Sequence, residues 1–322
     1  MIVDAVIIGR NEGERLVKAL ASVSPQVRRV VYVDSGSTDQ SVLHAKDSGA
    51  IVVTLDMTKP FTAARARNAG FAEIKEQGRL PDAVQFVDGD CAVLPNWINA
   101  GSDHMAAHDD IALVVGLKSE LNRDQTIFNQ MSDVEWKRPS GDIEACSGNM
   151  MIRTSAFEQI GGFDPNVIAA EDDELCTRLR KAGWRLVRIP APMARHDGGH
   201  MRFAQWWKRA ERTGHGFAQV GQIHADYFVR ERQRAWVYGG ILPLLGIFGA
   251  FASFVVPLLI LGLYAMSYIK TMRGLEVDGL PRDEAMRHAV FLTLSKFPNV
   301  IGMVRYHWRR LNNAQMRIIE YK

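Results

Sequence analysis

Cysteine is scarce in this sequence, and its placement excludes two common kinds of site. The three cysteines, Cys91, Cys146 and Cys176, lie far apart and form no Cys-x-x-Cys pair. An odd and scattered set of this kind indicates neither a zinc centre nor a disulfide framework. We therefore expect a reducing, cytoplasmic environment for the chain.

The sequence also lacks targeting and repetitive segments. Residues 1–8 have no basic region and no small-residue cleavage site, and their apolar run is too short for a secretory signal, so we expect none. Internal repeats and low-complexity tracts are absent. The 322 residues, 47% of them hydrophobic, are enough for one large folded domain or two smaller ones.

The excess of positive charge is small overall, but it is unevenly distributed. The net charge is +3 at pH 7. Residues 1–199 hold 22 Lys and Arg against 28 Asp and Glu, whereas residues 200–322 hold 17 against 8. A basic C-terminal third predicts contact with an anionic surface, and membrane lipid headgroups are the first candidate. We expect no nucleic acid partner.

One long stretch carries no charge at all. Residues 237–269 are uncharged. This stretch is longer than the about 20 residues of one transmembrane helix but too short for two full spans with a loop. Pro243 and Pro257 can break it. Basic residues flank both ends, which favours the cytoplasmic side for each. We predict a hydrophobic hairpin over 237–269, rather than a single span or a buried soluble hairpin.

A second apolar segment follows the hairpin. Residues 283–312 are amphipathic and basic, which predicts helices that lie in the headgroup region and are interrupted at Pro298. Packing of these helices against the rest of the protein is the alternative, and both can hold together. The hairpin and these helices make up a predicted membrane-associated module, residues 226–322.

The N-terminal half alternates between short β-branched runs and amphipathic stretches. This alternation predicts an α/β fold, a doubly wound and mostly parallel sheet with helices on both faces. The predicted strands are residues 3–8, 30–33, 51–55 and 84–87, and the predicted helices are 14–23, 40–48 and 61–74. Ligands bind at the carboxyl ends of such strands. Polar clusters at residues 9–12, 34–39 and 88–90 therefore meet on one rim.

The cluster after the fourth strand has metal-ligating chemistry. Asp88 and Asp90 flank Gly89, and two carboxylates at a strand end suit Mg²⁺ or Mn²⁺ holding a diphosphate. An ordinary Asp-Gly turn is the alternative. Asp34 can accept a hydrogen bond from a base or ribose. Asp39 is equally well explained as a helix cap.

Over residues 2–210, several motifs occur in an order and at a spacing that resemble those of the family 2 glycosyltransferases with a GT-A fold. They are Val-Ile-Ile-Gly-Arg-Asn-Glu at 6–12, Val-Asp-Ser-Gly-Ser-Thr-Asp at 33–39, the segment 64–70 and Asp-Gly-Asp at 88–90. Ser35 stands where many members have a second Asp, which leaves base recognition more to Asp34. The resemblance implies a nucleotide-sugar donor bound by Asn11, Glu12, Asp34, Ser35, Asp39, Arg67 and Asp88. Because Arg65 and Arg67 are two apart on a helix, at most one reaches the rim.

The resemblance continues in the second half of this region. Residues 145–153 and 155–164 resemble the family's segment under the donor sugar and beside the acceptor. Four acids at 171–174 open a helix, where the dipole favours them but their mutual repulsion raises a carboxyl pKa. The resemblance implies that Asp172 is the catalytic base and that Glu171 orients the acceptor.

The resemblance also implies a third metal ligand after the strand at 185–189. His196 fits this position best, beside Asp88 and Asp90, and His200 is the competitor. The segment 203–209 resembles the Gln-x-x-Arg-Trp element of processive members only loosely, which argues against a processive polymerase. From that element we retain only the expectation that Lys208 or Arg209 faces the diphosphate.

These expectations combine into one hypothesis. Residues 1–225 form the GT-A domain, with a nucleotide-binding half (1–100) and an acceptor half (101–225). It transfers a sugar, with Mn²⁺ or Mg²⁺ and with inversion, to an acceptor hydroxyl on a polyprenyl-diphosphate-linked saccharide in exopolysaccharide or envelope glycan synthesis. The enzyme lies at the inner (cytoplasmic) membrane, with this domain facing the cytoplasm. A non-catalytic membrane scaffold and, with only one glycine in residues 9–12, a sugar nucleotidyltransferase are the weaker alternatives.

Overall fold

A computed structural model describes residues 1–199 and 201–320 of the chain. The chain forms two compact units. The first comprises Met1–Gln125 and Ser132–His200, and the second comprises Thr126–Met131 and Met201–Lys322. The functional boundary expected at residue 225 stays a prediction.

The first unit is built on one mixed sheet. Its strands are β1 (Val3–Gly9), β2 (Val30–Asp34), β3 (Ile51–Thr54), β4 (Ala83–Asp88), β5 (Cys91–Val93), β6 (Ile111–Glu120), β7 (Gly141–Asp142), β8 (Met150–Arg153) and β9 (Arg185–His196). The strand order is β3-β2-β1-β4-β8-β6-β9-β5, and β7 pairs with β9. The predicted α/β architecture is therefore confirmed.

The first four strands run parallel, and their register aligns the predicted clusters. Gly9 at the end of β1 pairs with Asp34 at the end of β2, and Ile8 pairs with Asp88 at the end of β4. Antiparallel pairing begins at β8, which lies between β4 and β6. The carboxyl ends of β1, β2 and β4 thus form one rim.

Helices flank this sheet because their apolar residues recur at helical spacing. In α1, the buried residues Leu16, Ala19, Leu20 and Val23 follow the i, i+3, i+4, i+7 pattern of one face. The core contains the rings of Phe86 and Phe157, whose centroids are 5.4 Å apart. The helices are α1 (Glu14–Val23), α2 (Ser41–Asp47), α3 (Ala63–Glu76), α4 (Trp97–Ala106), α5 (Ile127–Trp136, shared by the two units), α6 (Thr154–Gln159) and α7 (Glu171–Lys181).

Strand β9 is longer than expected. The sequence predicts a strand only over residues 185–189, but β9 continues past two prolines to His196. The extension is possible because the pairing of β6 with β9 is irregular where Leu117 lies opposite Pro192. Proline has no N–H to donate, and no regular ladder hydrogen bond is required at this position. His196 therefore lies on the sheet, paired with Cys91 on β5 and Glu120 on β6.

The second unit is helical. Its long helices are α8 (Phe203–Ile223), α9 (Val229–Trp236), α10 (Leu242–Ala250), α11 (Val255–Val277), α12 (Arg282–Leu294) and α13 (Lys296–Leu311), with a π-helical turn at Val237–Ile241. Helices α8 and α13 cross with their backbones in contact. A Cβ on Gly214 would lie 2.0 Å from the carbonyl oxygen of Asn299, so only glycine fits there.

The predicted interruption at Pro298 is wrong. The break between α12 and α13 lies at Ser295, and Pro298 is the third residue of α13. Proline is tolerated there because the N–H groups of the first helical turn have no partner within the helix.

The uncharged stretch forms α10 and the first part of α11, joined by a short turn. Both helices leave large apolar side chains exposed, including Phe248 at 67% and Leu259 at 66%. Within the part of the chain that the structure describes, α11 alone is long and apolar enough to span a membrane, and none of its apolar window is buried. The hairpin and the membrane contact stay predictions.

Candidate functional site

The loops after β1 and β2 are tied together by residues from two of the predicted clusters. Asn11 has a left-handed backbone, and its side-chain oxygen accepts the N–H of Thr38 at 2.7 Å. The carboxylate of Asp34 accepts the N–H groups of Gly36 and Ser37 at 3.0 and 2.9 Å. These contacts hold Asp34, which is buried, at the rim.

Other predicted residues of these loops have different surroundings. Ser35 is buried. Asp39 accepts the N–H of Ser41, the first residue of α2, at 2.9 Å. Burial raises the pKa of Asp39, but its hydrogen bonds with Ser41 outweigh this and lower the pKa below its ordinary value. Glu12 packs on the turn after β4, because a Cβ on Gly89 would lie 3.0 Å from Glu12 Cγ.

Arg67 on α3 connects Asp88 with the acidic start of α7. Its guanidinium lies 2.8 Å from Asp88 Oδ1 and 2.8 Å from Glu171 Oε1, and its side chain is 3% exposed. Burial disfavours the charge, but the two carboxylates hold the pKa of Arg67 above its ordinary value. A Cβ on Gly148 would lie 2.1 Å from Arg67 Nη2, so a glycine is needed here. Arg65 points elsewhere and donates to backbone carbonyls of residues 56, 59 and 60.

Asp90, in the turn after β4, contacts His196 at the end of β9. His196 Nε2 lies 3.3 Å from Asp90 Oδ2, and Nδ1 lies 2.6 Å from Glu120 Oε2. Burial lowers the pKa of His196, but Asp90 and Glu120 together raise it above its ordinary value. Trp136 packs against the imidazole, with ring centroids 4.9 Å apart.

The donor atoms of this turn fit a hard divalent ion. Ligand atoms of Asp88, Asp90 and Cys91 all lie within 4.8 Å of one another. Burial raises the pKa of the Cys91 thiol well above its usual range, so it stays protonated and is a poor ligand. Asp88 and Asp90 are left as carboxylate donors of the kind that Mn²⁺ or Mg²⁺ accepts, and the imidazole of His196 is an additional nitrogen donor suited to Mn²⁺. His200 lies outside the residues that the structure describes.

The four acids at the start of α7 have distinct environments. Glu171 binds Arg67, and Glu174 pairs with Arg178 at 2.6 Å. Asp172 is partly buried, and burial together with the neighbouring Glu171 and Asp173 raises its pKa well above the ordinary carboxyl value. A raised pKa makes Asp172 a stronger base than an exposed carboxylate.

Four residues around this turn were not among the predicted site residues: Lys118, Glu120, Trp136, and Asn149, which lies within the predicted segment 145–153. Asn149 donates to Asp88 Oδ2 at 3.2 Å and accepts the Asp88 N–H at 3.0 Å. Lys118 is buried with its Nζ 3.9 Å from the centre of the Trp136 ring. Glu120 contacts His196. The apolar run before Lys118 indicates a strand. No local pattern shows that the end of this strand lies beside His196.

Lys208 and Arg209 lie on α8 in the second unit. Lys208 Nζ is 3.1 Å from Glu211 Oε2, one turn along the same helix. The contact of either residue with a diphosphate stays a prediction.

Known proteins similar to this chain agree with the fold. The pre-mycofactocin glycosyltransferase of Mycobacterium tuberculosis is 26% identical over 248 residues, which cover 70% of this chain and 48% of that protein. The chain thus spans about half the length of that relative. The N-acetylglucosaminyl-diphospho-decaprenol L-rhamnosyltransferase of M. tuberculosis is 38% identical over 65 residues, 20% of each chain. The solved mannosyltransferase PcManGT from Pyrobaculum calidifontis, in complex with GDP-Man and Mn²⁺, superposes with a TM-score of 0.66 at 16% identity, covering 96% of this chain and 87% of its own.

Two family models match the chain. The model of glycosyl transferase family 2 matches residues 4–161, which include Asp34, Arg67 and the turn after β4. The model of glycosyl transferase family group 2 matches residues 84–295, about two-thirds of the chain. The chain therefore belongs to the family 2 glycosyltransferases and has their GT-A fold.

Proposed function

We propose that the protein is a glycosyltransferase that moves a sugar from a nucleotide-sugar donor to an acceptor hydroxyl. The observation that carries this proposal is the convergence of Asp88, Asp90 and His196 at one strand end, with Asp34 on the same rim. Membership of the family supports it, as do the transferase activities in the names of the relatives.

The residues of the turn bind the donor's diphosphate end in this proposal. Asp88, Asp90 and His196 would hold a divalent ion, Mn²⁺ or Mg²⁺, which would neutralise charge on the leaving diphosphate. Arg67 orients Asp88 through a contact of 2.8 Å. The presence of Mn²⁺ with GDP-Man in PcManGT supports this assignment by analogy of fold.

Asp172 supplies the base. Its carboxylate removes the proton from the acceptor hydroxyl as the hydroxyl oxygen attacks the anomeric carbon, and the nucleoside diphosphate leaves from the opposite side. A direct displacement of this kind inverts the anomeric centre. Glu171, held by Arg67 at 2.8 Å, orients the acceptor beside Asp172.

The acceptor in this proposal is a lipid-linked saccharide. Exposed apolar side chains on α10 and α11 insert into the inner membrane, and the basic residues on either side keep the N-terminal unit in the cytoplasm. A polyprenyl-diphosphate saccharide is presented at such a surface, and the decaprenol-linked acceptor named for one relative is of this class. The product belongs to exopolysaccharide or envelope glycan synthesis.

A thermal-shift screen tests donor binding. The full chain is mixed with UDP-, GDP- and dTDP-sugars, each with and without Mn²⁺. We expect at least one donor to raise the Tm more with Mn²⁺ than without it, and this gain to be lost in Asp90→Ala. If no nucleotide sugar shifts the Tm in either condition, a non-catalytic scaffold explains the chain better.

A further inference from the structure

Glu120 is a deeply buried carboxylate that no sequence motif singled out. It is the last residue of β6, its side chain is 1% exposed, and it pairs in register with His196 on β9. Taking a carboxylate out of water costs several kcal/mol unless hydrogen bonds replace the lost hydration. The contacts of the Glu120 carboxylate must therefore compensate for the hydration that it has lost.

Both oxygens of Glu120 have assigned partners. Oε2 lies 2.6 Å from His196 Nδ1, and Oε1 accepts the N–H groups of Gly198 and Asn122 at 3.1 and 3.3 Å. The backbone N–H of Glu120 is itself held by Asp133 Oδ1 at 3.0 Å. The carboxylate is thus fixed by its own strand end and by the loop after β9.

The contact with Glu120 determines the direction of the imidazole. With Nδ1 bound to Glu120, the other nitrogen, Nε2, points toward Asp90 and lies 3.3 Å from its carboxylate. Trp136 packs edge-on against the ring and restricts its rotation. A turn of the ring by half a revolution would place carbon atoms where both nitrogens now make their contacts.

We infer that Glu120 is a positioning residue, which orients His196 so that Nε2 can serve as a nitrogen ligand of the divalent ion that Asp88 and Asp90 would hold. This inference rests on the proposed metal-dependent function. A ligating histidine usually donates its second ring N–H to such an acceptor, and loss of the acceptor weakens metal binding about 10–100-fold.

The test is direct titration of the full chain with Mn²⁺ alone, followed by electron paramagnetic resonance of the free ion. We expect Glu120→Gln to raise the Kd for Mn²⁺ by about 10–100-fold. Glu120→Asp keeps the charge but is one methylene shorter, and we expect a smaller loss. Glu174→Gln is the matched control, because Glu174 is equally buried but pairs with Arg178, and its Mn²⁺ affinity should equal the wild-type value.

A double-mutant cycle separates positioning from a general structural effect. If Glu120 acts through His196, Glu120→Gln has no further effect on the Kd in a His196→Ala background. Equal Kd values for wild type, Glu120→Gln and Glu120→Asp would overturn this inference but not the proposed function. The same would follow if Glu120→Gln weakened Mn²⁺ binding as much in the His196→Ala background as in the wild type. If Glu120→Gln does not fold, Glu120→Asp decides. Failure of the folded wild-type chain to bind Mn²⁺ would overturn both the inference and the proposed metal dependence.

Discussion

Arg67 Nη1 lies 2.8 Å from Glu171 Oε1, so that a helix of the N-terminal half holds an acid 104 residues further along the chain. The same guanidinium binds Asp88. One buried cation therefore joins the candidate metal-binding turn to the helix that carries Asp172. Arg67 thus links two parts of the candidate site that are far apart in the sequence.

Replacement of Arg67 by Met is expected to affect both folding and function. It breaks the buried ion pair with Glu171, a type of change that costs about 3–5 kcal/mol, and loss of the Asp88 pair adds less because Asp88 is 32% exposed. Urea unfolding should show a free energy of unfolding lower by several kcal/mol.

Lys75→Met on the same helix is the control for Arg67→Met. Lys75 pairs with Glu158 at the surface, where such a pair contributes about 0–1 kcal/mol. If the two variants lose the same stability, the buried bridge is not the determinant that the geometry indicates.

Asp172→Asn is expected to lose most of its transfer activity but to be more stable at neutral pH. Its folded-state pKa is raised, so the ionised carboxylate destabilises the fold above that pKa, and the penalty vanishes as the pH falls toward the ordinary carboxyl value of 3.8. Removing the charge should raise the free energy of unfolding at pH 8 on the order of 1 kcal/mol, after allowance for partial solvent access.

The stability gain from Asp172→Asn should shrink as the pH is lowered toward 4. Denaturant unfolding at several pH values measures it, with the exposed Asp103→Asn as control. A variant that is less stable than wild type at pH 8 would show that Asp172 is a structural anion and not a strained base. The rate of transfer in the wild type should fall on the acid side, as Asp172 takes up a proton.

Gly148→Ala should disturb the site with little effect elsewhere. The added methyl lies 2.1 Å from Arg67 Nη2 and about 3 Å from the Asp88 carboxylate, so the guanidinium must move. We expect weaker Mn²⁺ and donor binding, measured by calorimetry. Gly274→Ala, where the new Cβ meets nothing within 4 Å, is the control and should bind both ligands as the wild type does. Unchanged binding of Mn²⁺ and donor by Gly148→Ala would show that Arg67 does not contribute to ligand binding.

Membrane contact is expected to depend on α11. Leu258 is 57% exposed there, and an aspartate at this position would have to enter the lipid. Leu258→Asp should reduce flotation with vesicles of anionic and neutral phospholipid, whereas Leu43→Asp, at a leucine of similar exposure on α2, should not. Equal flotation of both variants would contradict insertion of α11.

The parallel strands and their polar ends follow from local patterns in the sequence, and so do α1 and the acidic start of α7. Contacts over long separations do not. Asn149, immediately before β8, reaches Asp88, and Glu120 reaches His196 over 76 residues. The order of strands beyond β4 brings these residues together, and no short motif encodes that order. The extension of β9 through two prolines also escaped prediction, since it depends on an irregular partner strand.

The most direct test of the central claim is the release of nucleoside diphosphate from a donor that binds, measured in the full chain with and without Mn²⁺. We predict release only with a divalent ion, a loss in Asp90→Asn, and a loss of about 10²–10⁴-fold in Asp172→Asn, as for removal of a general base. Asp103→Asn should keep the wild-type rate. If Asp90→Asn and Asp172→Asn both release the diphosphate at the wild-type rate, the site does not perform this reaction.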